Sequence, residues 1–329
     1  MTPDQSLLDL SDTFFSIAVA LYSIALVAFC AQLAFGRRPQ RARELVAAGG
    51  GPVGSTRDGD SLDGGLAEAT ADRAGQRRAE RWGTLAIGVT VLAALAHAAV
   101  LVFRGAAVER LPWGNMYEFA TAVVLVAVVA YVVLALRSPA LRHIGVFVLA
   151  PVVLSMVATG LFLYVRGGPL VAALRSAWLA IHVTTAIIGF GIFFVSGIAS
   201  ALYLLRNRNE QKPVEERGTG LLSRLPESSV LDRLAHRTAV FGFPIWTFAV
   251  IAGAIWAESA WGRFWGWDPK ETWSFIAWVV YAGYLHARTT AGWRGRPAAW
   301  VNIVGLVVMV FNLTFVNLVS SGLHSYGGK

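Results

Sequence analysis

Cysteine is nearly missing from this 329-residue chain: Cys30 stands alone. A single thiol allows no intrachain disulfide, and without a CxxC pair the chain cannot itself be a dithiol oxidoreductase. Without CxxCH it carries no c-type haem attachment of its own. Cys30 lies in an apolar run and reads as a small buried apolar residue. Charge is scarce too, at 15% of residues against 56% hydrophobic. That balance excludes an ordinary soluble domain. A bilayer-spanning helix needs roughly 20 mostly apolar residues. Eight stretches qualify: 12–35, 83–103, 116–136, 144–164, 177–205, 238–258, 271–288 and 299–319. The expected fold is all-α, a polytopic membrane helix bundle of about eight transmembrane helices. The first stretch is too long for a secretory h-region and lacks a basic n-region, so no cleavage is expected.

What charge there is falls unevenly. The net charge is +8, which by itself could point to nucleic acid. Yet 21 of the 28 Lys and Arg lie in 36–82, 137–143, 206–237 and 288–296. The other seven lie in 104–114, 164–176 and 259–270 and at Lys329. Loops rich in Lys and Arg stay in the cytoplasm, so this is a topology signal and no nucleic acid is expected. Both termini and the loops near 104–115, 164–177 and 259–271 are placed outside. Residues 37–81 mix nine basic and seven acidic residues with little apolar periodicity and read as a disordered linker. Three parts follow: a first transmembrane helix (1–36), a disordered cytoplasmic linker (37–82) and one membrane domain (83–329). A weak amphipathic piece at Leu221–Leu234 is placed on the membrane surface.

Tryptophan is abundant and clustered. Residues 261–278 read WGRFWGWDPKETWSFIAW and hold five of the 12 Trp: Trp261, Trp265, Trp267, Trp273 and Trp278. Interfacial aromatic belts are common, but belts scatter over many loops. A dense run interleaved with Gly262 and Gly266 fits a platform for a large planar ligand, since Trp rings give contact area and glycine allows close approach. Arg263 and Lys270 are candidates to pair with carboxylates on that ligand. Asp268 at N-cap, Pro269 at N1 and Glu271 at N3 form a capping-box start to the seventh span, which explains these three without any catalysis.

Histidine supplies the donors that haem iron accepts. His182 lies near the outer end of the fifth span, a helix of about 29 residues and so ~43 Å at 1.5 Å per residue. His324 follows the eighth span. Both share a side and a depth with the Trp segment, and the pair fits axial ligation of a haem on the platform. His286, at the inner end of the seventh span, is either a second, inner haem ligand or an interface residue. His143 is its better-placed partner in this chain. His97, ~21 Å up its helix from the inner end, is a satisfied interior polar residue or part of a pathway. His236 reads as surface. Asn302, Asn312, Thr314 and Asn317 are expected to hydrogen-bond between helices. Trp113, Asn115 and Glu118 are placed at the outer cavity or at a helix cap.

These residues carry a resemblance. The segment WGRFWGWDPKETW resembles the WWD signature of haem-handling proteins in cytochrome c assembly, in the CcsA/ResC (also named CcsB) branch of system II. The runs PWGNMYE, WLAIHV, YLHAR and GLHSYG agree, and the likeness covers residues from about 83 to the C-terminus. It implies that His182 and His324 ligate external haem iron and that His286 is the membrane histidine of an inner haem site. It places Trp261, Trp265, Trp267, Asp268 and Trp273 against the haem, with Arg263 or Lys270 on a propionate. It implies a ResB-like membrane subunit that supplies the other inner ligand, apocytochrome c as the acceptor, and a thiol-reducing thioredoxin-like protein acting indirectly.

The expected function is delivery of b-type haem to the CxxCH thiols of apocytochrome c at the outer face of a bacterial cytoplasmic membrane, as part of a haem lyase (synthase) complex. No side chain reads as a general acid or base; the protein binds, orients and tunes. A haem transporter or chaperone without ligation activity would use the same site. A b-type electron-transfer subunit would need His pairs at matched depth on facing helices and would leave the Trp segment without a role. An aromatic-rich scaffold would bind no haem.

Overall fold

The computed structural model describes residues 3–35, 60–168, 176–213, 216 and 225–324. Among them the chain is helical, with no strand. Eight long elements follow in order: α1 (Gln5–Phe35), α2 (Asp60–Ala107), α3 (Met116–Arg137), α4 (Gly145–Ala158), α5 (Ala177–Glu210), α6 (Ser228–Trp261), α7 (Pro269–Thr289) and α8 (Arg296–Leu313). A 3-10 turn (Pro139–Ile144) and a π-helical turn (Thr159–Leu163) flank α4, and a short α9 (Phe315–Leu318) follows α8.

Among the described residues, seven segments are long and apolar enough to cross a membrane. They lie on α1–α6 and on α8 with α9, α4 qualifying together with its flanking turns. The expected seventh span, α7, falls outside that set, because Lys270, Glu271, two Trp, two Tyr, His286 and Arg288 dilute its apolar content. Its packing gives it the same reach as its neighbours. At one end Trp246 Nε1 donates to the Ser274 carbonyl (3.3 Å), and Trp278 Nε1 donates to Thr247 Oγ1 (2.9 Å). At the other end Arg288 pairs with Asp232 at 2.6 Å. α7 therefore runs antiparallel to α6, and 21 residues cover ~31 Å.

The helices pair as antiparallel neighbours. α1 lies along α2, and α5 lies along α6. Between membrane helices, close backbone approach and polar cross-links take over from hydrophobic burial. A Cβ at Gly242 would meet Ile192 at 3.0 Å and the Phe193 ring at 3.2 Å. Asn302 on α8 donates to the Ser196 and Ser200 hydroxyls on α5 (2.9 and 2.8 Å). Asn312 donates to Ser274 on α7 (3.1 Å). Three of the four polar residues expected to face the bundle do so. Thr314 does not: it is exposed and returns its hydroxyl to Val310 of its own helix, as Ser and Thr do where no partner helix faces them.

Other local expectations shift as well. Cys30 is exposed, because the outer wall of a membrane bundle is itself apolar and a small apolar residue needs no protein cover. α2 begins at Asp60, so helix replaces linker over 60–82; this stretch is rich in Ala and Arg, which favour helix. Residues 36–59, the first four residues of the amphipathic piece (221–224) and the end of the GLHSYG run lie outside the described residues. The rest of that piece does not lie on the membrane surface: it leads into α6, and Leu225, Leu231 and Leu234 are buried in the bundle core, where their apolar face meets the neighbouring helices. His236 sits in α6, half-buried, with its ring 6.3 Å from Tyr284.

Candidate functional site

The site lies where α5, α6, α7 and the turn after α9 meet. α6 ends at Trp261, and Gly262 caps it with φ +71°, in the left-handed region, where glycine alone bears no steric cost. The chain then crosses to Asp268, the N-cap of α7. The expected capping box is present: Asp268 accepts from the α7 backbone, and Glu271 accepts from the Asp268 N–H (3.1 Å). Glu271 Oε2 also takes the Gly266 N–H at 2.8 Å. The two bonds bracket Trp267, which holds a φ of +58°, an uncommon and strained setting for a bulky residue. Tertiary hydrogen bonding, rather than the local preference of Trp, fixes this loop.

His182 stands on the second turn of α5. Its Nδ1 lies 2.8 Å from the Ala249 carbonyl. A carbonyl only accepts, so Nδ1 carries the proton and Nε2 keeps its lone pair. His324 repeats the arrangement from the turn after α9. Its Nδ1 lies 2.8 Å from Asp268 Oδ1, while Asp268 Oδ2 accepts from the Leu323 N–H at 2.7 Å. Burial pushes the Asp268 carboxyl up, but the bonds from His324 and Leu323 outweigh it and hold it below the ordinary carboxylate range. At neutral pH it is therefore an anion facing the imidazole.

The two histidines line one cavity of about 80 Å³. Phe119, Phe190, Phe264, Trp265 and Met309 supply apolar walls; Lys270 and Glu271 supply polar groups. Lys270 Nζ donates to Asn317 at 2.7 Å. Arg263 does not line the cavity: it pairs with Glu271 (3.5 Å) and lies 5.9 Å from the Trp261 ring centre. Trp261 packs edge-on to His324 at 4.8 Å. Trp267 points outward, 66% exposed, and Trp273 packs on Phe311 at 4.4 Å. Of the five tryptophans of this segment only Trp265 lines the cavity, so they do not form one flat platform.

The wall residues Phe119, Phe190, Trp246, Phe264 and Met309 were not anticipated, and neither were two residues that pack on the histidines. Trp256 is buried beside both histidines, 6.1 Å from the His182 ring in near-parallel planes and 5.8 Å from His324. Gly253, one turn earlier, leaves room for His182: a Cβ there would fall 2.7 Å from the imidazole. A Gly and a Trp three residues apart lie on one helix face, and that spacing in IAGAIW was the available signal.

The remaining histidines lie elsewhere. His286 is exposed on α7, two residues from Arg288. His143 lies on the 3-10 turn packed against α1–α4. His97, on α2, is buried against α1 with Nδ1 3.1 Å from the Tyr22 hydroxyl. Asn115 caps α3 by accepting from the Glu118 N–H (2.9 Å). Glu118 is fully buried and joins Arg104 (3.1 Å) and Arg110 (2.8 Å). Of the three residues placed at cavity or cap, these two serve the cap and an ion cluster.

Fold and site together define a polytopic helical membrane protein that sets two imidazoles on one aromatic-walled cavity. A profile of the family described as cytochrome C assembly protein matches residues 113–324. The cytochrome c biogenesis protein CcsA of Gloeobacter violaceus is 34% identical over 297 residues, 74% of this chain and 86% of that protein. CcsA of Parasynechococcus marenigrum is 41% identical over 177 residues, 48% of this chain and 58% of that protein. In the fold comparison, the cytochrome c haem lyase CcmF aligns with a TM-score of 0.56 at 16% identity, over 93% of this chain and 46% of its own. The chain belongs to the cytochrome c assembly protein family, with its likeness running to members of the CcsA type.

Proposed function

We propose that this protein holds haem between His182 and His324 and presents it to the CxxCH thiols of apocytochrome c, on the outer face of a bacterial cytoplasmic membrane. One observation carries the reading: two imidazoles on one cavity, each with Nδ1 engaged and Nε2 left free. That is the pattern of metal-ligating histidine, whose other ring nitrogen is held by a carbonyl or carboxylate. The donor set fits haem iron, which takes axial imidazole, and the apolar walls suit a porphyrin. Lys270 lies on the cavity and fits a propionate; Arg263 is already occupied by Glu271.

In the proposed step each cysteine S–H adds across a haem vinyl. Sulfur bonds to the inner vinyl carbon, the proton goes to the terminal carbon, and no electrons are gained or lost. The substrate's own histidine then replaces one protein imidazole. The cavity of about 80 Å³ is below the ~300–1,000 Å³ of ordinary ligand pockets. Loading therefore requires the cavity walls to open. A ResB-like subunit, together with His286, completes the proposed assembly, and a thioredoxin-like protein keeps the acceptor thiols reduced.

The test is spectroscopic. The protein is purified in detergent with and without a ResB-like partner, and its absorbance and pyridine-haem spectra are recorded for the wild type, His182→Gly and His324→Gly. A bis-imidazole haem spectrum that weakens in either variant and returns with added imidazole is expected. Haem retained unchanged in both variants, or absent from every preparation, overturns the reading.

A further inference from the structure

The Asp268 carboxylate does three things at once. It caps α7, taking the Lys270 N–H at 3.1 Å on Oδ1. It ties down the C-terminal turn by taking the Leu323 N–H on Oδ2 at 2.7 Å. It faces His324 Nδ1 at 2.8 Å. A helix cap alone needs only the first of these. The approach of the turn is tight: a Cβ at Gly322 would come 2.5 Å from Asp268 Oδ2. A glycine at 322 therefore admits the contact. His182, by contrast, faces only the neutral Ala249 carbonyl. The two imidazoles are chemically unequal: one is backed by a buried anion, the other by an amide oxygen.

We infer that Asp268 is a positioning residue of the haem site, which fixes the Nδ1–H tautomer of His324 and lends its imidazole anionic character. This rests on the reading that His324 ligates iron. A carboxylate behind the ring makes Nε2 a stronger donor, and a stronger donor favours ferric over ferrous haem. Asp268 thus sets the redox poise of the bound haem, and His324 and His182 contribute unequally to it.

Asp268→Asn separates this from capping. Asn caps a helix as well as Asp and still offers an oxygen to the Nδ1–H, but the charge is gone. The variant is expected to keep its haem and its helix content. The ferric preference is expected to fall about tenfold, a rise in midpoint potential of about 59 mV for one electron. Gly322→Ala displaces the carboxylate without changing any charge, and a shift in the same direction is expected. An unchanged potential in haem-loaded Asp268→Asn overturns the inference and leaves the bis-His reading standing. Should Asp268→Asn not fold, an unchanged potential in Gly322→Ala overturns it instead. A wild type without haem removes the parent reading and this one with it.

Discussion

At the residue scale, the site depends on what lies behind each histidine. Gly253 is the sharpest case. A methyl group there would press on the His182 ring from 2.7 Å, and the ring cannot yield freely because Ala249 holds its Nδ1 and Trp256 lies alongside. Gly253→Ala is expected to lower haem affinity at least tenfold, within the 10–100-fold range seen when a group supporting a metal ligand is changed, while leaving the helix content of the purified protein intact. Titration with haem, followed by absorbance, checks this. Equal affinity in variant and wild type would mean that His182 is not a ligand or has room to spare. Sequence placed His182 and His324 on one side of the membrane through the Lys/Arg bias and the span ends. It could not supply their partners, because Ala249 and Asp268 lie 67 and 56 residues away along the chain.

At the scale of elements, the loop from Gly262 to Asp268 is held by one buried carboxylate. Glu271 binds two backbone N–H groups around Trp267 and pairs with Arg263. Glu271→Ala would strand both N–H groups and leave the Arg263 cation without its anion. A loss of about 3 kcal/mol is expected, the scale of breaking a buried pair from one side. It should appear as a lower thermal transition in detergent together with loss of haem. The α5–α8 contact predicts a smaller effect. Asn302→Ala removes interhelical bonds to Ser196 and Ser200, at roughly 0.6–1.7 kcal/mol, in the same assay and with the haem spectrum unchanged. The capping box was legible in the sequence because it is local. The polar contacts of α8 were legible in kind, since amides inside a span must bond to something. Which helix they reach depended on packing.

At the scale of the whole molecule, the question is whether α7 crosses the membrane. Its composition leaves it outside the seven apolar segments, yet its contacts follow α6 from Thr247 to Asp232. A crossing α7 puts Ser259 and Ala291 on opposite faces. In a Cys30→Ser background, Ser259→Cys is expected to react with a membrane-impermeant maleimide in intact cells, and Ala291→Cys only after lysis. The same labelling pattern at both positions would remove the crossing and with it the outer placement of one terminus.

The sequence by itself determined a helical membrane bundle, the order of its spans, the helix start at Asp268 and the histidines worth locating. These follow from composition, period and short-range capping, all of which act within a few residues. Tertiary structure alone decided that His182 and His324 share a cavity and that Trp256 packs beside both. It also decided that Lys270 rather than Arg263 lines that cavity and that Asp268 stands behind His324. These depend on which faces of distant helices meet, and an apolar helix in lipid has no local pattern that fixes its rotation. The few glycines and polar groups at each contact set it, and their effect exists only once the helices are packed.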